Sequence, residues 1–225
     1  MPDDFDAPRV ALSWSGGKDS MLALHRLREL GTPPEVLLTT LTEGYDRISM
    51  HRVRSALLAA QARAVGVPLA TTAIPQGCDN ATYEAVMSAA LGAQRGAGVE
   101  AVAFGDLFLA DVRAYRERLV APTGLRPLFP LWGEDTAALA RRFVALGFRA
   151  VLVCVDPAQL DPAFCGREYD EALLDVLPPS VDPCGEHGEF HTFVYDGPGF
   201  AEPVACARGE SVDRSGFRFC DLLPG

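Results

Sequence analysis

The feature that most constrains how this chain can fold is the hexapeptide Ser15-Gly16-Gly17-Lys18-Asp19-Ser20. It sits between a short apolar run, Arg9 to Trp14, and a segment in which Met21, Leu22, Leu24, Leu27 and Leu30 recur at helical spacing up to Gly31. That arrangement predicts a buried strand, a loop and an amphipathic helix in direct succession. A helix start leaves backbone N–H groups unpaired and carries the positive end of the helix dipole, so an anion belongs there. Two adjacent glycines let the backbone approach that anion closely. Lys18 adds a charged donor worth about 1.5–3 kcal/mol per hydrogen bond, and the hydroxyls of Ser15 and Ser20 can donate to the same oxygens. The spacing is not that of a conventional P-loop, which has four residues between its first glycine and its Gly-Lys pair. The bland alternative, a glycine turn with Lys18 in water, is disfavoured by the strand-to-helix context.

The same unit repeats along the first half. Glu35 to Leu41 reads as a strand and His51 to Val65 as a helix. Leu69 to Ile74 is a third strand, Asn80 to Arg95 a helix capped by Asp79 or Asn80, and Ala101 to Phe104 a fourth strand ending at Gly105-Asp106. A further helix follows around Leu109 to Val120. Strands alternating with helices predict an α/β fold, a doubly wound parallel sheet. The segment Ala121 to Pro130 carries three prolines and one glycine, so a boundary is expected near residue 125, dividing the chain into residues 1–125 and 126–225. Beyond it, a helix over Asp135 to Leu146, a buried strand over Ala150 to Val155, a helix around Glu168 to Leu177 and β-like pieces from His191 describe a smaller α+β lobe.

Composition narrows the partners. Thirty acidic against 20 basic side chains give a formal charge of -10, which disfavours nucleic acid. The six cysteines form no CxxC pair, no signal-like N-terminus is present and no apolar stretch approaches the roughly 20 residues needed to cross a bilayer. The expectation is a cytoplasmic protein with reduced thiols and no membrane association; the sequence leaves open whether it forms a homo-oligomer.

The hexapeptide SGGKDS resembles the PP-loop of the ATP pyrophosphatases. Further segments extend the likeness: Ser49-Met50-His51-Arg52-Val53-Arg54, Gly105-Asp106, Arg113 to Arg118, Pro130-Leu131-Trp132, Cys184-Gly185-Glu186-His187-Gly188-Glu189-Phe190-His191-Thr192-Phe193 and Asp196-Gly197-Pro198-Gly199-Phe200. Together, from about Val10 to Phe200, they resemble the PP-loop ATPases related to diphthine-ammonia ligase, the stretch around Met50 being closest to a bacterial branch. The resemblance implies an adenine-nucleotide α-hydrolase-like sheet and a C-terminal lobe that shapes an acceptor site. It also implies adenylation of a carboxylate with ATP and Mg²⁺, release of pyrophosphate, and displacement of AMP by ammonia. Where the family motif reads GENGE, His187 stands here in place of the Asn, and the acceptor carboxylate is left open. A tRNA-modifying PP-loop ligase and a non-catalytic adenine-nucleotide sensor are the rival readings.

On this resemblance Ser15, Gly16, Gly17, Lys18, Asp19 and Ser20 hold phosphate, Asp19 helps to place Mg²⁺, and the backbone near Thr40-Leu41 meets the adenine. From the residues themselves, Asp106 at a strand end can bind Mg²⁺ through water or a ribose hydroxyl, or simply cap a helix, while Gly105 precedes it. His51 and Arg54 flank the nucleotide or open an ordinary helix. Arg116, with Arg113 and Arg118, reaches phosphate or a carboxylate, or forms a solvated helix face. Glu186 and Glu189 can serve as a carboxylate pair that binds ammonium, orients it or accepts its proton, or belong to a purely structural turn. Alternation of His187, Glu189 and His191 offers a metal-binding face if the segment is extended. Cys184 is read as a buried thiol, not a nucleophile, and Trp132 as packing.

Overall fold

The computed structural model describes residues 7–44 and 53–225. Its first sheet contains β1 (Val10–Ser13), β2 (Pro34–Thr42), β3 (Leu69–Ile74), β4 (Ala101–Ala103) and β5 (Arg126–Leu128), in the order β3-β2-β1-β4-β5 and parallel throughout. The crossovers are α1 (Lys18–Glu29), α2 (Ser55–Val65), α3 (Asn80–Gly96) and α4 (Ala110–Val120). The doubly wound α/β sheet expected from the alternating pattern is therefore present. Strand order reverses between β1 and β4, and ligands of open α/β sheets bind at such a switch point.

Alternation along β1 separates two cores. Val10 and Leu12 belong to a cluster with Leu22 and Leu24 of α1 and Leu57 and Leu58 of α2, whereas Ala11 faces Met87 and Leu91 of α3 and Leu119 and Val120 of α4. The first cluster runs on into the second half. There a four-stranded antiparallel sheet, ordered β7-β6-β9-β8, is built from β6 (Arg149–Val155), β7 (Phe190–Asp196), β8 (Cys206–Arg214) and β9 (Phe217–Pro224). Two further helices, α5 (Thr136–Ala145) and α6 (Glu171–Leu174), lie in this half, and Leu139 and Phe143 of α5 join the shared core. Helix α1 packs against both β1 and β7, so the loop before it is held between two sheets.

Several expectations shift. Leu30 does not face the core but is 56 % exposed, because α1 stops at Glu29. The helix read over Glu168 to Leu177 shrinks to Glu171–Leu174, since Glu168 is drawn into a bridge with Val151. Strand β5 was not foreseen: Pro127 sits inside it, tolerated because β5 is an edge strand. The helix expected from His51 begins at Ser55, and His51 itself lies outside the described residues.

Gly105 marks where β4 delivers its end against the start of α1. A Cβ there would stand 2.9 Å from the backbone carbon and oxygen of Asp19 and 3.1 Å from the Ser20 nitrogen. Neither neighbour is a flexible side chain. Gly105→Ala is expected to cost roughly 1–3 kcal/mol, in the range of overpacked sites, read as a lower urea midpoint; an unchanged midpoint would show that the β4–α1 approach is slack.

Candidate active site

The loop after β1 takes its shape from groups elsewhere in the chain. Gly16 has φ +76, and a side chain on it would collide with Leu58 Cδ2 at 2.7 Å and Gln61 Oε1 at 2.8 Å. Its carbonyl oxygen accepts from Val194 N of β7 and from Gln61 Nε2, each at 3.0 Å. Gln61 is fully buried, and its Oε1 accepts from Trp14 Nε1 at 2.9 Å. One amide side chain thus ties α2, the loop and β7 together. Gly17, the N-cap of α1, supplies no side-chain hydrogen bond.

Two loop amides are engaged by hydroxyls. Gly17 N donates to Ser15 Oγ at 3.2 Å and Lys18 N to Thr192 Oγ1 at 3.1 Å. Ser15 Oγ in turn lies 3.2 Å from Ser20 Oγ, and Ser20 Oγ donates to Gly17 O at 2.9 Å. Thr192 Oγ1 accepts from Lys18 N and has its own proton to offer an incoming anion, whereas Ser15 Oγ donates to Ser20 Oγ and Ser20 Oγ to Gly17 O, so the two serines, expected to donate to phosphate, here shape the loop from within. The loop opens onto a cleft of about 550 Å³ whose lining includes Ser15, Gly17, Lys18, Asp19 and Ser20.

Lys18 is 3 % exposed, and its Nζ lies 2.9 and 2.8 Å from the two carboxylate oxygens of Asp19. Burial works against the Lys18 ammonium, but the neighbouring Asp19 and Glu186 carboxyls outweigh it and the pKa is raised; Lys18 stays charged. Burial also raises the Asp19 carboxyl, against the pull of Lys18. Across the cleft, Asp106 and Arg116 face each other, Arg116 Nε 3.4 Å from Asp106 Oδ2, with the guanidinium 5.1 Å from the Phe104 ring centre. Arg113 and Arg118 do not join the lining. Arg113 lies 4.7 Å from the ring centres of Phe129 and Trp132 and pairs with Glu117, which makes Trp132 a packing residue.

The two glutamates part company. Glu186 lines the cleft and accepts from Leu107 N at 2.9 Å. Burial pushes its carboxyl up to about 7, with the nearby Asp19 and Asp106 carboxylates adding to the rise. Glu189 is 1 % exposed and lies outside the lining; its two oxygens accept from Asp182 N at 2.8 Å and His187 N at 3.0 Å. An acceptor filled by backbone amides holds a turn in place, and the expected ammonium-binding pair reduces to Glu186. The alternating metal face fails for a related reason: β7 begins only at Phe190, so His187 and Glu189 lie in a turn. Among the described residues no cluster of three or more His, Cys, Asp or Glu side chains can hold a metal ion. His191 lines the cleft as a neutral imidazole, its pKa lowered to about 4 by burial and by Lys18. Burial pushes the Cys184 thiol up to about 12, which leaves it unreactive as a nucleophile.

At the other end, Leu38, Thr39, Thr40, Thr72, Tyr83 and Met87 form a more apolar wall. Leu41 is not part of it. Its side chain, one residue on from Thr40 and so on the opposite face of the strand, packs on the main core with Leu37, and the expectation for this stretch concerned its backbone. Arg54 is committed elsewhere, its Nη2 pairing with Asp221 at 2.6 Å. Sequence reading missed Gln61, Trp14 and Thr192. Gln61 did carry a signal, a polar residue on the helix face shared by Leu57, Leu58, Ala62 and Val65.

Residues 8–127 match the diphthamide synthase N-terminal domain and residues 135–220 the diphthamide synthase C-terminal domain. A Mus musculus protein named diphthine–ammonia ligase is 27% identical over 236 residues, covering 95% of this chain and 88% of that protein. The Homo sapiens protein of the same name is 26% identical with the same coverage. The Schizosaccharomyces pombe diphthine–ammonia ligase is 30% identical over 128 residues, 55% of this chain but 21% of that protein, so the chain spans about a fifth of that relative.

Replacing Gln61 by Leu keeps the bulk and removes the hydrogen bonds, leaving Trp14 Nε1 and one acceptor pair of the loop–β7 seam without their partner. The expected cost is roughly 1–3 kcal/mol for each buried group left unsatisfied, measured by urea denaturation, together with weaker ATP binding by calorimetry. Stability equal to the parent would mean that the seam does not depend on Gln61.

Proposed function

This chain belongs to the diphthamide synthase family of PP-loop ATP pyrophosphatases, and from that premise we propose that it is an ATP-dependent, AMP-forming carbon–nitrogen ligase that converts a carboxylate into an amide with ammonia. The observation that carries this reading is the glycine-led start of α1, with buried Lys18 beside it, opening onto a cleft at the strand-order switch point. A helix start of this kind favours phosphate. The tRNA-modifying and sensor alternatives receive no support from the names of the relatives, and the charge of -10 opposes the first.

In the proposed reaction the β- and γ-phosphates of ATP sit against the Ser15 to Ser20 loop, with adenosine toward Thr40, Thr72 and Tyr83. The acceptor carboxylate oxygen forms a bond to the α-phosphorus while the bond from that phosphorus to the oxygen bridging to the β-phosphate breaks, and pyrophosphate leaves against Lys18. Arg116 is positioned to offset charge on the α-phosphate or the acceptor. Asp19 and Asp106 suit a magnesium ion, which takes one or two carboxylates plus substrate phosphates; both line the cleft. When bound, the ion would draw charge from the phosphate oxygens. Ammonia nitrogen then bonds to the acyl carbon, AMP departs, and Glu186 takes the proton that nitrogen gives up. Residues 1–125 would hold ATP and residues 126–225 shape the acceptor site, with β5 at the seam. A cytoplasmic setting suits the six free thiols.

The test is a screen of carboxylic acids for ammonia-dependent formation of AMP and pyrophosphate. Lys18→Ala is expected to abolish both products, and unchanged AMP formation would contradict the role given to the loop. Glu186 supplies a pH signature. Its carboxyl, raised to about 7, is protonated below that pH and can accept a proton only above it, so amide formation should rise through about pH 7. Glu186→Gln should lower the rate by roughly 10²–10⁴-fold and flatten that rise; a variant that keeps the same limb would assign it to another group. His191, already neutral well below this range, cannot produce the limb.

A further inference from the structure

The second sheet turns one face toward the cleft, and its registers show which side chains lie on it. Cys154 of β6 pairs with His191 of β7 on one side and with Phe219 of β9 on the other. Laterally paired residues point the same way, and Phe217 stands two positions before Phe219, so His191, Phe219 and Phe217 share that face. His191 and Phe217 both line the cleft. Ser215 and Gly216 have φ 53 and 85, which gives a tight turn between β8 and β9 and sets Phe217 at the start of β9. Buried Phe219 backs it, the two ring centres 6.2 Å apart.

The other phenylalanine of this wall is committed. Phe190 is 1 % exposed, and its ring lies between Lys18 Nζ, 5.6 Å from the ring centre, and Tyr169. Phe217 is only half-buried. Charge on the wall is sparse. Among the described residues that the second half of the chain contributes to the lining, none is Lys or Arg, and Glu186 is the one acid. His191 stays neutral. Arg218 belongs to the opposite face of the sheet, as its pairing with Val155 shows, and its guanidinium is held by Asp213. The lysine and arginine of the cleft, Lys18 and Arg116, come from the first half.

On the function proposed above, phosphates take the Ser15 to Ser20 loop and adenosine the side of Thr40, Thr72 and Tyr83, which leaves this wall for the acceptor. We propose that Phe217 is the acceptor platform and selects a monocarboxylate carried on a flat, uncharged ring. The ring lies on Phe217, in an aromatic contact that an alkyl chain of similar size cannot reproduce, while its carboxylate is drawn toward Lys18 and Arg116. A second carboxylate or a phosphate on the acceptor would meet no lysine or arginine on this wall and would share it with Glu186.

Calorimetric titration of the intact protein, saturated with magnesium and the α,β-methylene analogue of ATP, tests this without turnover. The probes are phenylacetate, 3-phenylpropionate and indole-3-acetate, with hexanoate and phenylmalonate for comparison. An aryl monocarboxylate should bind roughly 3–10-fold more tightly than hexanoate, and phenylmalonate more weakly than phenylacetate. Phe217→Leu, which keeps apolar bulk, should remove the preference for a ring, and Phe217→Tyr should retain it. Both variants should bind the nucleotide analogue as the wild type does. Failure of every aryl probe to bind, hexanoate or phenylmalonate binding as tightly as phenylacetate, or a ring preference that survives Phe217→Leu would overturn the platform. Weaker nucleotide binding in a Phe217→Leu variant with the wild-type circular dichroism spectrum would also overturn it, by assigning the ring to adenosine. The ligase reading fails separately: aryl probes that bind but never support AMP formation from ATP would contradict that reading and leave the platform standing. AMP formation driven only by alkyl or dicarboxylic acids would do the reverse.

Discussion

The carbonyl oxygen of Gly16 is the point on which the two halves of this molecule depend. It accepts one hydrogen bond from the backbone of β7 and another from buried Gln61, so the bend after β1 is shaped by the second sheet as much as by its own glycines. Thr192, also on β7, engages the amide of Lys18. The loop therefore has little freedom to relax before a ligand arrives, and preorganised donors of this kind need no reorganisation when charge develops. The requirement for glycine at position 16 follows from the same crowding, because Leu58 and Gln61 occupy the space a side chain would need.

Charge in the cleft is balanced to receive more than one ion. Asp19, Asp106, Glu186, Lys18 and Arg116 share its lining, and burial, with a smaller push from Asp19 and Asp106, raises Glu186 to about 7. An anionic nucleotide alone would suit Lys18 and Arg116 but not the carboxylates. On the proposed function, a nucleotide with its metal ion would suit both, and ammonium would be attracted by the same acids. Burial sets these properties, since the same side chains on an open surface would be screened by water. Among the described residues no helix is long and apolar enough to cross a membrane.

What could be read from the sequence was what depends on local pattern. The β1–loop–α1 unit, the parallel alternation and Asp79, one of two candidates for the cap of α3, follow from periodicity and capping chemistry, and the structure has them; Asp135, expected as the first residue of its helix, is its N-cap. Contacts between distant segments were not legible. Glu189 looked equivalent to Glu186 because the two share a motif, yet a turn of three residues sends one into the cleft and the other onto backbone amides. Thr40 lines the cleft while strand alternation turns the Leu41 side chain into the core, a distinction that a reading of the backbone near Thr40-Leu41 does not make. Strand β5 was hidden by Pro127, whose missing N–H is costly only in a central strand. Gln61 was visible as a polar residue on an apolar helix face, but its partners lie 45 and 133 residues away in sequence.

The central claim is that the Ser15 to Ser20 loop is a cradle for two linked phosphates, and it can be examined without knowing the acceptor. Calorimetric titration of inorganic pyrophosphate with magnesium into the intact protein, alone and in the presence of saturating ATP, addresses it directly. The account predicts binding to the free protein that ATP abolishes, because both compounds need the same amides and the same lysine. Pyrophosphate that fails to bind, or that binds equally well beside ATP, would contradict it.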